Sequence, residues 1–595
     1  MSDVTADILT GGSFLLNPVA AFPIFTREKF TEEHREIENL VREFCSNKVL
    51  PQVLEIEKYN QDLSHNLIKQ MGALGLLSID IPEKYDGLEL DKITAIIVAE
   101  AMRYGGSSSF TTTYTVQTGI GMLPLIWFGT HEQKQKYLPK LSSGEWICAY
   151  ALTEPEAGSD AMSGRMTAFL SDDGKHYILN GEKQFTTNGK WAQIFTIFAQ
   201  VDGSKFTAFI VETNTPGFEI GAEENKLGVK GSSTVPLKFT DVKVPVENLL
   251  GEIGGGATIA FNALNVGRLK LGASALGGSK GIIEYATEYA LQRRQFGQPI
   301  GHFDIIRKYI ADMTVRTYAL DSIIYRTIGD IDRAISELDQ STDDFYLKIG
   351  GEMERFAIEA SMVKVYGSET LGFCADLGIQ ILGGYGFIEE YSMARIYRDT
   401  RIDRIWEGTN EINRQIITGY LMKKALLEEI PLREKIKCVD EFLATDPAVS
   451  GEDPLWYQTA MIEAGKYLTL YVFDEALTEF GQDLKHEQQL GELLANSFMD
   501  LYLADSTVAR IGQLEEGNGQ EPILEAIAKT FTAEMALRLL NSALTGLNDI
   551  YHGHLPETVM DKMRKFQIRL LPSTDVAVMK RQIADYIYQR KTYPF

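Results

Sequence analysis

The sequence predicts a mainly helical protein with one strand-rich segment in its middle, in the order helical, β, helical, and again helical. Three observations predict it. Between positions 31 and 49, Ile37, Leu40, Val41 and Phe44 recur at helical spacing among acids and bases. From about Trp146 the runs at 195–201, 206–211 and 235–239 are short, β-rich and partly alternating. After Gly256 the helical period returns, continues to about Lys424, and resumes beyond Pro454.

Each element follows from local chemistry. Helical patterns at 63–77 and 91–104 extend the first region, punctuated by loops at 82–87 and 105–109 that are rich in Gly, Pro or Ser. In the β region, Asn180-Gly181, Asp202-Gly203 and Pro216-Gly217 supply turns. Strands without helices between them predict an antiparallel sheet closed into a small barrel rather than βαβ units. The segment 429–453, with Pro431 and Pro447, marks a boundary before a last helical section. The expected domains are N-terminal helical (1–148), β (149–256), a helical bundle (257–428) and a helical extension (429–595).

Composition narrows the function. A length of 595 residues predicts three to five packed units. A net charge of −24 argues against a nucleic-acid binder, which needs Lys and Arg to neutralise phosphates. Four cysteines without CxxC spacing fit a reducing compartment, with no disulfide framework and no metal site expected. Acidic Asp3 and Asp7 precede the first base, Arg27, which fits neither a secretory signal nor a transit peptide. The expectation is a cytoplasmic protein. Residues 561–595 carry eight bases against three acids, a surface for anionic lipid or an acidic partner, or simply a solvated face.

Walker, HExxH and GxSxG signatures are missing, and the His552–His554 pair has no third ligand in reach of the pattern. Three stretches carry more. Residues 150–160 (YALTEPEAGSD) read as a tight loop whose backbone suits a planar heterocycle. Residues 380–387 (QILGGYGF) offer successive glycine N–H groups, fitting a phosphate or a helix C-cap. In 395–414 (RIYRDTRIDRIWEGTNEINR), Glu407 sits between Trp406 and Gly408 among arginines. A desolvated carboxylate there is a better base; a paired one is a salt bridge.

Together these stretches resemble the acyl-CoA dehydrogenase family over about residues 30–425. NVGR at 265–268, QRRQFG at 292–297 and the helical extension look most like its very-long-chain branch. The resemblance implies FAD, a medium- to long-chain acyl-CoA oxidised to trans-2-enoyl-CoA in fatty acid β-oxidation, and electron-transfer flavoprotein as acceptor. It implies Glu407 as the catalytic base, with Ser159, Ser232, Asn265, Arg268 and Gly408 on the substrate side. Some relatives carry the base at the position of Gly267. For FAD it implies Tyr150, Leu152, Thr153, Gly158, Ser159, Phe185 and Thr187, with Thr409, Asn410 and Glu411 continuing the wall. Arg293, Gln295, Phe296, Gln380, Gly383 and Gly384 would reach the neighbouring subunit's cofactor, so a homodimer is expected. At Asp304 some members have glutamine, and a carboxylate there would repel phosphate. Thr112 and Val116 leave an acyl pocket deep, whereas Tyr114 would shorten it. The alternatives are an acyl-CoA oxidase and a flavin- or acyl-CoA-binding assembly protein without turnover.

Overall fold

The computed structural model describes residues 9–446, 453–514 and 520–595; Asp3, Asp7 and Pro447 lie outside them. Helices begin where the sequence supplies caps. Thr31 accepts from the His34 N–H to start Glu32–Phe44, and Asn60 and Asp91 do the same for Gln61–Ala73 and Lys92–Ala101. Lys92–Ala101 is buried along most of its length, so its apolar run reflects a helix surrounded by protein.

The strands are β1 (Cys148–Ala151), β2 (Thr167–Leu170), β3 (His176–Thr187), β4 (Ile194–Val201), β5 (Lys205–Glu212), β6 (Phe218–Ile220), β7 (Thr234–Pro245) and β8 (Leu249–Leu250). They form one sheet in the order β6-β7-β3-β2-β4-β5-β8, with β1 also on β4. The expected small antiparallel barrel is wrong on two counts. The sheet is open, since β6 and β8 end the order, and it is mixed, since β1 and β2 both run parallel to β4. The register shows why. β1 pairs with positions 194–197 and β2 with 200–201, so they are two pieces of one edge path along β4. The chain leaves that path at Leu152 and rejoins it at Thr167, which throws the 152–166 loop out of the sheet. Closure was also unnecessary for burial. Ile194 and Phe198 of β4 join one apolar core with residues of helix His131–Ser142, while Phe195 and Ile197 join another with Glu32–Phe44 and Gln61–Ala73.

Three long helices, Gly256–Gln292, Asp304–Ser336 and Ala357–Leu382, build the next layer. A Cβ on Gly272 would stand 2.3 Å from Val363 Cγ1, and one on Gly367 would stand 3.1 Å from Gly272 Cα. Those two glycines let the first and third helices approach closely and bring the Ala357–Leu382 helix under the turn that precedes Asn410–Leu426. The last section, helices Trp456–Phe480, Gln488–Ile511, Glu521–Ile550, Glu557–Arg569 and Val576–Arg590, shares the main apolar core with the earlier helices. Among the described residues, no helix is long and apolar enough to cross a membrane.

Candidate active site

Glu407 and Gly408 occupy a turn between a short 3-10 stretch, Arg401–Arg404, and the Asn410–Leu426 helix. Both adopt left-handed backbone, with φ of 58° and 77°. For a glutamate this costs about 1–3 kcal/mol and persists only where the surroundings enforce it. The enforcement is visible. The Glu407 carbonyl accepts from Arg268 Nε (3.3 Å) and Asn413 Nδ2 (3.4 Å). The Gly408 carbonyl accepts from Lys364 Nζ and from Asn413 Nδ2, each at 2.7 Å. Thr409 caps the following helix by accepting from the Ile412 N–H.

The Glu407 carboxylate lies against the long helix at Gly267, where a Cβ would stand 2.6 Å from Oε2. Any side chain at 267 would displace it. Oε2 is buried and has no hydrogen-bond partner. Burial pushes the carboxyl up to about 7, against the pull of Arg268 and Lys364. Arg268 is itself buried and is oriented by Nη1 donating to Asn265 Oδ1 at 2.7 Å. Tyr150 lies in the field of both, its phenol raised by burial and by the Glu407 charge and lowered by Arg268. The structure thus brings Glu407, Gly408, Asn265, Arg268 and Tyr150 together, with Thr409 and Asn410 beside them.

A second group forms where the 152–166 loop leaves the sheet. Lys183 Nζ donates to the Leu152 carbonyl (3.1 Å) and to Glu154 Oε1 (2.7 Å), and the Gln184 N–H donates to the Thr153 carbonyl (2.9 Å). This sets Phe185 and Thr187 beside Leu152 and Thr153. Phe185 takes a left-handed backbone (φ 57°) and is 62% exposed, so an aromatic residue stands at the surface here. The neighbouring Thr186 hydroxyl is buried without a partner. Gly158 and Ser159 are exposed on the loop, and Ser232 is buried with its hydroxyl donating to the Val229 carbonyl at 2.9 Å.

Of the remaining expected residues, the group at 293–296 stands apart from Glu407. Arg293, Gln295 and Phe296 lie on an exposed hairpin just past the long helix, 25 positions beyond Arg268. At the α-helical rise that is about 38 Å. Arg293 sits over the Tyr385 ring at 5.6 Å, beside Gly383 and Gly384, where a Cβ would meet nothing within 4 Å. Gln380 and Glu411 are exposed. Asp304 is held by Arg581 of the extension through two hydrogen bonds of 2.7 and 2.9 Å. Tyr114 is buried with its hydroxyl donating to the Leu76 carbonyl at 3.1 Å.

Sequence reasoning missed Lys364, Asn413, Glu154 and Lys183. Lys364 is fully buried, and burial lowers it to about 8. A lone lysine in the apolar run 360–366 (ASMVKVY) was the available signal. Asp403, raised to about 7 by burial with Lys364 pulling the other way, was hidden among arginines. Among the described residues no cluster could hold a metal ion.

The acyl-CoA dehydrogenase models match the chain at residues 31–145 (N-terminal domain), 149–242 (middle domain) and 254–422 (C-terminal domain). The chain is 40% identical to a probable acyl-CoA dehydrogenase of Bacillus subtilis (strain 168), covering 100% of both. It is 36% identical to the very long-chain specific acyl-CoA dehydrogenase of Bos taurus, covering 79% of this chain and 73% of that one. The crystal structure of a Bacillus anthracis acyl-CoA dehydrogenase complexed with FAD superposes with a TM-score of 0.94 at 39% identity, covering 98% of this chain and 100% of that one. These similarities single out no branch of the family.

Proposed function

The chain belongs to the acyl-CoA dehydrogenase family, and on that premise we propose that Glu407 is the base of a FAD-dependent α,β-dehydrogenation of an acyl-CoA thioester. The observation that carries the reading is the unpartnered Glu407 carboxylate, raised to about 7 and lodged against the bare backbone of Gly267. An ordinary carboxylate, near ~4.3, is a poor match for a thioester α-proton. Burial narrows that gap.

The residues present fit FAD. Exposed Phe185 and the orphaned Thr186 hydroxyl offer a stacking face and a polar contact, and the open Gly383–Gly384 backbone, beside Arg293, offers room for a phosphate of the neighbouring subunit's cofactor. Tyr150, Leu152, Thr153, Gly158, Ser159, Phe185 and Thr187 would hold it, with Thr409, Asn410 and Glu411 alongside. When bound, FAD supplies the acceptor for the hydride that leaves the β-carbon. Glu407 receives the α-proton on its carboxylate, and the Cα–Cβ double bond forms from the pair left behind. Arg268 fixes the Glu407 carbonyl, and Asn265 fixes Arg268. Ser159, Ser232 and Gly408 are assigned to the coenzyme A thioester.

The finer assignments rest on separate features. A medium- to long-chain substrate is supported by small Thr112 and Val116 and by Tyr114, whose hydroxyl is tied back to Leu76. The helical extension supports the very-long-chain reading, and the proposed division is four domains at 1–148, 149–256, 257–428 and 429–595. A homodimer is supported by the helical span separating Arg293 from Arg268 and by Phe296 and Phe387, 92% and 82% exposed. Electron-transfer flavoprotein as acceptor and a cytoplasmic location remain part of the proposal. Membrane contact through the C-terminal bases has less to work with: Lys562, Arg564, Lys580 and Arg581 are each ion-paired within the chain.

The test is anaerobic titration of the purified flavoprotein with acyl-CoAs of graded length. Bleaching of the flavin over a medium- to long-chain range is expected. A yellow protein that no acyl-CoA bleaches would overturn the reading, and fast peroxide formation in air would replace dehydrogenase with oxidase.

A further inference from the structure

Three carbonyl groups in succession, those of Glu407, Gly408 and Thr409, all accept from one amide, Asn413 Nδ2, at 3.4, 2.7 and 3.0 Å. The middle carbonyl also accepts from Lys364 Nζ at 2.7 Å. Lys364 donates again to Asn410 Oδ1 at 2.7 Å, and the Asn410 amide continues to Ser368 and Glu369. Lys364, Asn410 and Asn413 are buried. The chain therefore places a buried cation and an amide behind the left-handed turn that presents Glu407.

We infer that Lys364 and Asn413 form a clamp that positions the base, fixing the Glu407–Gly408–Thr409 backbone through its carbonyls so that the carboxylate meets the substrate's α-carbon. This rests on the assignment of Glu407 as base and extends it to residues that do not touch the substrate. The turn is costly to hold in a non-glycine residue, and donors on its carbonyls offset that cost. Lys364 has a second role. Its ammonium and the Arg268 guanidinium are the cations that pull the Glu407 carboxyl down against burial. Tyr150 from β1, Asp403 from the preceding 3-10 stretch, and Glu411 and Tyr420 from the following helix are the other titratable groups around them. Removing Lys364 takes away both a peptide anchor and one of two cations. Removing the Asn413 amide takes away only anchors.

The two variants separate positioning from a merely structural role. Lys364→Met fills a similar volume without the charge, and Asn413→Ala deletes the amide. Both should slow anaerobic flavin reduction by a saturating acyl-CoA, counted per bound flavin, by ~10-fold or more, the scale of a misplaced reacting group. Lys364→Met should also move the acid limb of the rate–pH profile upward by about one unit, as loss of a neighbouring opposite charge does. Asn413→Ala should leave that limb in place. A structural role alone would lower the melting temperature and flavin content while leaving the per-flavin rate and the limb unchanged, and that result overturns the inference. If Lys364→Met yields no folded flavoprotein, Asn413→Ala decides, since a per-flavin rate within twofold of the unmodified enzyme overturns the clamp. Failure of the unmodified protein to bleach is a different outcome, which removes the base assignment itself.

Discussion

Two groups of buried charges in this molecule reach opposite ends. Around Asp321, Lys280 Nζ stands at 2.5 Å, Arg510 Nη1 at 3.1 Å and Arg27 Nε at 3.2 Å. Glu100 beside it takes Lys280 at 2.9 Å and the Tyr325 hydroxyl at 2.6 Å. Burial pushes both carboxyls up, but the cations outweigh it and hold them below the ordinary range. Around Glu407, burial wins: one carboxylate oxygen has no donor, and its cations spend their hydrogen bonds on backbone carbonyls and asparagine side chains. Burial is common to both. What separates a structural ion cluster from a reactive carboxylate is whether donors reach the carboxylate or only the backbone that carries it.

The largest effect that would sharpen this contrast is catalytic. Glu407→Gln should keep FAD and acyl-CoA binding while slowing flavin reduction by ~10³-fold or more, the upper range for a general base. Near-normal bleaching would erase the distinction. Next, Asp321→Asn should cost about 3–5 kcal/mol in denaturant unfolding, because it strands buried cations rather than removing a reactive group. It should leave the reduction rate of the folded protein nearly unchanged.

The smallest effect is in the pH dependence of stability. Glu407 is raised from 4.5 to about 7 in the folded chain, so its contribution to stability is present below pH 4.5 and is lost as pH rises through 7. Glu407 as a whole is half-buried although its Oε2 is enclosed, so melting curves should show Glu407→Gln more stable than the unmodified protein at pH 8 by a discounted ~1 kcal/mol. The gap should close toward pH 4. Asp321, held low, has the opposite sign, and its contribution is lost only as pH falls into the acid range. A Glu407→Gln gap that widened on acidification would break the comparison.

Much of this was legible in the chain because it is written locally. Caps at Thr31, Asn60 and Asp91 start helices within three residues of themselves. Glu407 could be read as a candidate base because Trp406 and Gly408 are its neighbours in sequence. The open sheet was not legible, because β1 and β2 look like two ordinary strands until β4, some 40 residues on, shows them to be one path broken by a loop. Lys364 was not legible as part of the base turn either, since 44 residues separate it from Gly408.

The sequence by itself determined the order of helical and β regions and the motif loops, and it singled out Glu407 as a candidate base. Those depend on period, turn chemistry and residue type, which act over a few positions. Tertiary structure alone decided that the sheet stays open, that Gly267 lies under the carboxylate, and that Lys364 and Asn413 grip the turn from behind. Each of these is a meeting of segments distant in the chain, and their close packing sets which buried charges find donors and which do not.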